Sequence, residues 1–472
     1  MRRSLFPTMA LAVTVALSSC GGGGKPAQKE NPKPVAAFTG AKGEVKIMTL
    51  DPGHFHAALV QKNMYEQVSP EVFVYSPDGN DLKEHLKRID GYNTRAEKPT
   101  AWVEKLYTGN DYLEKMLSEK PGNVVVVSGN NRIKTDYIKK SVEAGLNVLA
   151  DKPMVINAEL FPVLEDAFKI AKEKGVLLYD IMTERFSVTT MLQREISMVP
   201  DLFGQLEPGT KEKPAVEKVS VHYFYKDVSG KILVRPAWFF DVEQQGEGIV
   251  DVNTHLVDLV QWVCFPDQII QKSDITILAA KRWPTVFSKE EFKSVTQLDE
   301  FPAYLSKDLK EGKLNVFANG EILYNIKGHV AKVTAIWDYK AAPGAGDTHY
   351  SIMRGSKATL EIRQGVAEKN DPTLYIKANE GVDLKVFAAN LEKFVTQGLP
   401  QKGLTLESLD KNTWKVVIPA EYKVTHEAHF AQVTEKYLGF LKDGKLPEWE
   451  VPNMITKYYT TTAALKLAKE TK

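Results

Sequence analysis

Short apolar runs alternating with amphipathic stretches fill the first third of the chain. Residues 45–50, 72–75, 124–127, 148–150 and 176–179 are strand-like, and Val124 to Val127 is so uniformly β-branched that it predicts a strand covered on both faces, as in a parallel sheet. Between them lie helical patterns over about 57–60, 111–118, 135–144 and 160–174, with a polar insertion of moderate helical pattern from Asp81 to about Lys98. Strand and helix in alternation predict a doubly wound parallel sheet. After a further helix to about Met198 the rhythm changes. Residues 216–225, 275–280, 314–317, 330–337, 350–353 and 358–362 are rich in β-branched and aromatic side chains and lack regular helical crossovers, which predicts a second, mostly antiparallel sheet. Two helices, about 426–442 and 452–469, close the chain. The expected class is α/β plus α+β, with one domain over 44–185 and a second over 186–472.

One helical pattern, from Gly246 to Trp262, carries chemistry. Two glycines open it, and Asp251, His255 and Asp258 recur at i, i+4 and i+7, on one face. Val252, Leu256, Leu259, Val260 and Val263 form the apolar remainder that can lie on a core. An imidazole held between carboxylates on a rigid element suits proton transfer, because the unperturbed pKa of His, about 6.5, lies near neutrality. A purely solvated polar face is the alternative. Paired-carboxylate glycoside hydrolysis fails on geometry, since Asp251 and Asp258 lie on one side of a helix rather than flanking a bond.

A formal net charge of +1 and the lack of basic runs interleaved with aromatics argue against a nucleic-acid groove or a polybasic membrane surface. The first 20 residues read as a lipoprotein signal peptide, with Arg2 and Arg3, an apolar run from Met9 to Leu17, and a lipobox-like Leu17 to Cys20. Cys20 is the expected lipidation site. Residues 21–43 then form a flexible linker, rich in Gly, Pro and Lys at its start, so the expected location is the periplasmic face of an inner or outer membrane, held only by a lipid anchor. Arg2 to Phe6 also resembles a twin-arginine signal, which would export a folded, loaded protein; a plain Sec signal is the other reading. With Cys264 the only cysteine after Cys20, neither a disulfide framework nor a cysteine zinc site is expected, and no metal set is assigned.

In a doubly wound sheet the ligand lies beyond the carboxyl ends of the strands. Asp51 to His56, Ser76 to Asp78, Ser128 to Asn131, and Asp151 with Lys152 and Pro153 are the residues there. Of the three glycines that usually cradle a diphosphate after the first strand, only Gly53 is present. Gly53, His54 and Phe55, followed by a helix, still offer backbone amides. Ser76 stands where an acid usually grips the adenosine ribose, and Asp78 is the candidate substitute. Lys152, at the end of a buried strand, can stabilise a developing alkoxide.

The segment from Ala144 to Pro153, followed by the Gly246 to Asp258 helix, resembles the Gfo/Idh/MocA family of sugar and cyclitol oxidoreductases. Ser128 to Asn131 and Trp238 to Asp241 extend the resemblance over most of the mature chain. It implies an N-terminal doubly wound Rossmann domain that binds NAD or NADP, a C-terminal sheet domain, and an active site between them. By position Lys152, Asp251 and His255 match the family's catalytic lysine, aspartate and histidine, with Asp151 in place of a glutamate. Cofactor contacts are expected from Gly53, His54, Phe55, Ser76, Asp78, Ser128, Asn131 and Lys152, and substrate contacts from Arg185, Arg235, Trp238 and Asp258. The thinned glycine cluster and Lys134, where many members have histidine, are departures that mark a divergent lipoprotein branch. In the implied mechanism His255 takes a hydroxyl proton, Lys152 stabilises the oxyanion and Asp251 orients the imidazole. Export away from a nucleotide pool favours a tightly bound, recycled cofactor and transient oxidation of a sugar or glycoside, as in epimerisation or oxidative cleavage. The rival reading is a non-catalytic carbohydrate-binding lipoprotein on the same scaffold. A homo-oligomer through the C-terminal sheet is a further expectation.

Overall fold

The structure is a computed structural model that describes residues 37–228, 231–343 and 345–471. The expected signal peptide, Cys20 and most of the linker lie outside the described residues. Among the described residues no helix is long and apolar enough to cross a membrane.

The first sheet has six parallel strands: β1 (Ile47–Leu50), β2 (Glu71–Tyr75), β3 (Val103–Tyr107), β4 (Val124–Val127), β5 (Asn147–Asp151) and β6 (Leu178–Ile181). Their order is β3-β2-β1-β4-β5-β6, so the chain reverses direction across the sheet between β1 and β4. Helices α1 (His56–Leu59), α2 (Asn80–Thr94), α3 (Tyr112–Glu119), α4 (Asn131–Glu143) and α5 (Phe161–Lys174) connect them. The run of four valines is fully buried, as its uniform pattern predicts. Leu50 pairs with Val127 and Val127 with Ala150, so Asp51, Ser128 and Asp151 stand level at the carboxyl end of the sheet. Strand β3 was not predicted. Its sequence, Val103 to Tyr107, has two charges in five residues and is mostly exposed, as suits an edge strand that discourages further pairing.

Helix α6 (Val188–Ser197) leads to the second sheet, whose central strand is β7 (Val216–Tyr225). From one edge its order is Ile275–Phe287, Lys313–Ile326, His329–Lys340, β7, Thr348–Arg354, Ala358–Arg363, Thr373–Ala378, Thr413–Val417 and Thr405–Ser408. The pairing of β7 with His329–Lys340 is parallel and the others are antiparallel. Helices α7 (Val242–Gln245), α8 (Val252–Cys264), α9 (Lys289–Thr296), α10 (Leu384–Lys393), α11 (His426–Asp443) and α12 (Glu450–Glu470) complete the chain. Gly248 brings the start of α8 onto this sheet: a Cβ there would stand 1.9 Å from the Ala318 carbonyl oxygen. Asn253 adds a hydrogen bond to the Gly320 carbonyl at 3.0 Å.

The closing helices do not belong to the second sheet alone. Phe430, Val433, Tyr437, Met454 and Tyr458 of α11 and α12 are buried in the same core as β1 to β6. Leu465 and Ala468 of α12 pack into the core of the second sheet. Helix α12 thus spans both cores and holds them in one body.

Candidate active site

A cavity of about 360 Å³ opens at the carboxyl ends of β1 and β5, between the two sheets. Lys152 enters it from the end of β5, and its Nζ donates to Asp251 Oδ1 at 2.5 Å. Asp251 is the residue immediately before α8, so the start of that helix presents a carboxylate to the lysine. One turn on, His255 lines the same cavity. Its Nδ1 is buried without a hydrogen-bond partner among the described residues. Burial, and then the Lys152 charge, hold this imidazole well below the usual histidine range, so it is a neutral proton acceptor at neutral pH.

The polar stripe of α8 is divided between two tasks. Asp251 and His255 meet the cavity, but Asp258 is buried behind it, in a bidentate pair with Arg185 at 2.7 Å to each oxygen. Arg185 also donates to Glu450 Oε1 at 2.7 Å, and Lys457 reaches Asp180 Oδ2 at 2.6 Å and Asp258 Oδ1 at 2.9 Å. These charges tie the end of β6 to α8 and α12. Arg185 and Asp258, expected at the sugar, are therefore engaged with each other and absent from the cavity wall. The apolar remainder is also not a single stripe, because α8 is buried on nearly all sides.

Arg235 does line the cavity. Its guanidinium lies 4.4 Å from the Phe239 ring centre and 5.2 Å from that of Trp337, and it donates to the carbonyls of Phe224 at 2.9 Å and Tyr223 at 3.1 Å. Burial lowers its pKa to about 10, which leaves it charged. Trp238 is turned the other way. Its Nε1 donates to Asp81 Oδ2 at 2.8 Å, and the indole lies against Gly53.

The turn after β1 is folded on itself. The Gly53 amide bonds the Asp51 carbonyl at 2.9 Å, and the His54 amide bonds the Ser128 carbonyl at 3.2 Å. Gly129 permits this approach, since a Cβ there would stand 2.1 Å from the Asp51 carbonyl oxygen. Tyr137 donates to Asp51 Oδ2 at 3.1 Å, and burial raises the Asp51 carboxyl to about 6. His54 and Phe55 line the cavity, whereas Gly53 lies in a neighbouring recess of about 30 Å³ with Asp81. Ser76 is buried with its hydroxyl on the Pro77 carbonyl, and Asp78 is exposed at the end of β2. Ser128 donates to Asp151 Oδ2 at 3.0 Å, and Asn131 donates to the Gln245 carbonyl at 2.7 Å, joining α4 to α7.

Sequence reading missed the far wall. His222 on β7 has Nδ1 at 2.9 Å from Asp347 Oδ2 and Nε2 at 2.8 Å from the Ser220 hydroxyl. Burial opposes ionisation of Asp347, but His222 and the Lys226 ammonium hold its carboxyl below the usual range. Glu184 faces the same space with its pKa raised by burial. Seven histidines line this cavity, His54, His56, His222, His255, His349, His426 and His429, out of nine in the chain. A signal was available: alternation along β7 puts Lys218, Ser220 and His222 on the inward face with Val216 and Phe224, and inward polar residues on a strand need a partner or a ligand.

Comparisons with known proteins identify the family and the fold. Residues 192–469 match a family model described as "Putative oxidoreductase C terminal domain", and residues 76–180 match the Gfo/Idh/MocA model, "Oxidoreductase family, NAD-binding Rossmann fold". A crystal structure of a "putative oxidoreductase from Parabacteroides merdae ATCC 43184" is 58% identical, with a TM-score of 0.90, covering 93% of this chain and 100% of that one. A levoglucosan dehydrogenase solved with NADH and levoglucosan is 12% identical, TM-score 0.57, covering 90% and 97%. GenD2 from gentamicin A biosynthesis, solved with NAD, is 15% identical, TM-score 0.54, covering 94% and 98%. These two share the fold. A search of curated protein sequences gives no match.

Proposed function

Since the chain belongs to the Gfo/Idh/MocA oxidoreductases and its N-terminal domain is their NAD-binding Rossmann fold, we propose that it oxidises a hydroxyl of a sugar or glycoside in the central cavity. The observation that carries this reading is the Lys152 and Asp251 pair beside a neutral, unpartnered His255 on one cavity wall. These residues fit the nicotinamide half of NAD, which supplies a hydride acceptor when bound. His255 takes the hydroxyl proton. Lys152 stabilises the alkoxide that forms, and Asp251 holds the ammonium in place. Asp251 acts on the lysine and not on the imidazole, because its carboxylate is spent at 2.5 Å on Nζ.

At the other half of the nucleotide, the turn from Asp51 to His54, Ser128 to Asn131, and Ser76 with Asp78 would hold the diphosphate and ribose. The Trp238 and Asp81 hydrogen bond covers Gly53, so it must part for the diphosphate to reach that turn. Arg235 and the aromatic rings beneath it are suited to a sugar face. The levoglucosan dehydrogenase neighbour supports a sugar as substrate class.

Two histidines that line the cavity, His255 and His222, favour transient oxidation, in which a second proton must be moved before the hydride returns. Export as a lipoprotein with a retained cofactor remains part of the proposal and rests on the sequence before residue 37. One observation favours a nucleotide-free sugar binder: the Gly53 and His54 amides are both already bonded within the protein. The test is mass spectrometry of glycosides incubated with the protein and NAD. Oxo-sugars or cleaved glycosides, absent with His255→Ala, support the enzyme; unchanged glycosides that nevertheless bind support the alternative.

A further inference from the structure

We propose that His54, His56 and Asp151 bind one first-row divalent transition-metal cation in the cavity wall. Their donor atoms all lie within 4.8 Å of one another. Asp151 Oδ2 stands 3.0 Å from His56 Nδ1 and 3.4 Å from His54 Nδ1. With metal–ligand bonds of about 2.1 Å, neighbouring ligand atoms are about 3.0 Å apart in octahedral and about 3.4 Å apart in tetrahedral coordination. The carboxylate oxygen thus stands at a ligand-to-ligand distance from each imidazole nitrogen.

Hydrogen bonding accounts for only part of the cluster. His56 Nδ1 can donate to the carboxylate, which also takes the Ser128 hydroxyl at 3.0 Å. His54 Nδ1 stands 3.4 Å from both Asp151 Oδ2 and the His56 amide; deprotonated, it has one lone pair, which an ion beside the carboxylate can take in place of that long amide contact. A proton on His54 Nδ1 or a metal ion can stand between this nitrogen and the carboxylate; the metal can also take the His56 nitrogen, which a proton cannot. The fold supplies the supports such a site requires. Ser128 orients the carboxylate, and Lys134 holds the Asp151 carbonyl at 3.1 Å. The nearby Lys152 charge is already matched by Asp251.

Two imidazoles and one carboxylate suit a first-row divalent ion better than calcium or magnesium, which prefer oxygen alone. His54 and His56 line the cavity and Asp151 does not, so the remaining coordination positions open inward. There they take an oxygen of the substrate, an assignment that rests on the carbohydrate reading; the metal site itself does not.

The test uses tag-free, chelator-treated full-length protein titrated with Co²⁺, followed by visible d–d absorption, and with Zn²⁺, followed by calorimetry. No sugar or nucleotide is added, so the result is independent of catalytic activity. One equivalent of each ion is expected, with Zn²⁺ displacing Co²⁺. His56→Ala and Asp151→Asn should abolish binding, Ser128→Ala should weaken it about tenfold, and His429→Ala, elsewhere on the wall, should leave it intact. Circular dichroism checks folding, and His54→Ala replaces His56→Ala if the latter is unfolded. No stoichiometric binding to the wild type, or binding unchanged in both His54→Ala and Asp151→Asn, overturns the proposal.

Discussion

The ends of β5 and β1 border the same crevice and are organised in opposite ways. At β5, Lys152 projects into the cavity beside His255, whose Nδ1 has no partner among the described residues. At β1 the polar groups face inward: the Gly53 and His54 amides, the Asp51 carboxyl and the Trp238 indole all bond to the protein itself. Reactive capacity survives where groups are left unsatisfied, because a buried polar atom without a partner gains most from a ligand. A turn whose donors are internally satisfied gains less, and has to open first.

The largest predicted effect is at the β5 end. His255→Ala should lower turnover by roughly 10²- to 10⁴-fold, the usual range for a lost general base, with an unchanged circular dichroism spectrum. Near-normal steady-state rates would remove His255 from the chemistry. Next comes the network behind it. Arg185→Leu leaves Asp258 and Glu450 buried beside a smaller share of positive charge and should cost about 3–5 kcal/mol in denaturant unfolding. A variant with wild-type stability and a raised KM would return Arg185 to the sugar.

The β1 turn should respond to pH. Asp51 has its carboxyl raised to about 6, so it is neutral below that value and anionic above it. An anionic Asp51 repels a diphosphate, so NAD affinity should fall as pH rises through 6, and Asp51→Asn should flatten the profile. Burial also holds His54 and His56 below the usual histidine range. Calorimetric titration of NAD at several pH values reads this directly, and a flat wild-type profile would contradict it. The smallest effect is at the cover. Trp238→Phe removes one hydrogen bond, about 1 kcal/mol, and should speed NAD association several-fold in stopped-flow fluorescence; slower association would make Trp238 a contact rather than a cover.

Periodicity made the first sheet readable, since β1, β2, β4 and β5 are apolar runs and their helices are amphipathic. It failed where burial is one-sided or slight. Strand β3 and the Thr405–Ser408 strand are edges, the Thr373–Ala378 and Thr413–Val417 strands bury only alternate residues, and α9 and α10 interrupt a region with no crossover rhythm. Lys152, Asp251 and His255 could be placed because each sits at a named point of a motif. Arg185 and Asp258 could not, because only the fold brings Glu450 and Lys457 to them from residues more than 190 positions beyond Asp258. The His222 and Asp347 pair was hidden for the same reason, its members being 125 residues apart.

The most direct measurement mixes the protein, NAD and a panel of glycosides and follows the nicotinamide absorbance over a single turnover. Reduced nicotinamide should appear with a responsive glycoside in the wild type and fail to appear with Lys152→Met and His255→Ala, each still binding the sugar. Reduction at an undiminished rate in both variants would contradict the assignment of this cavity as the place where the hydroxyl is oxidised.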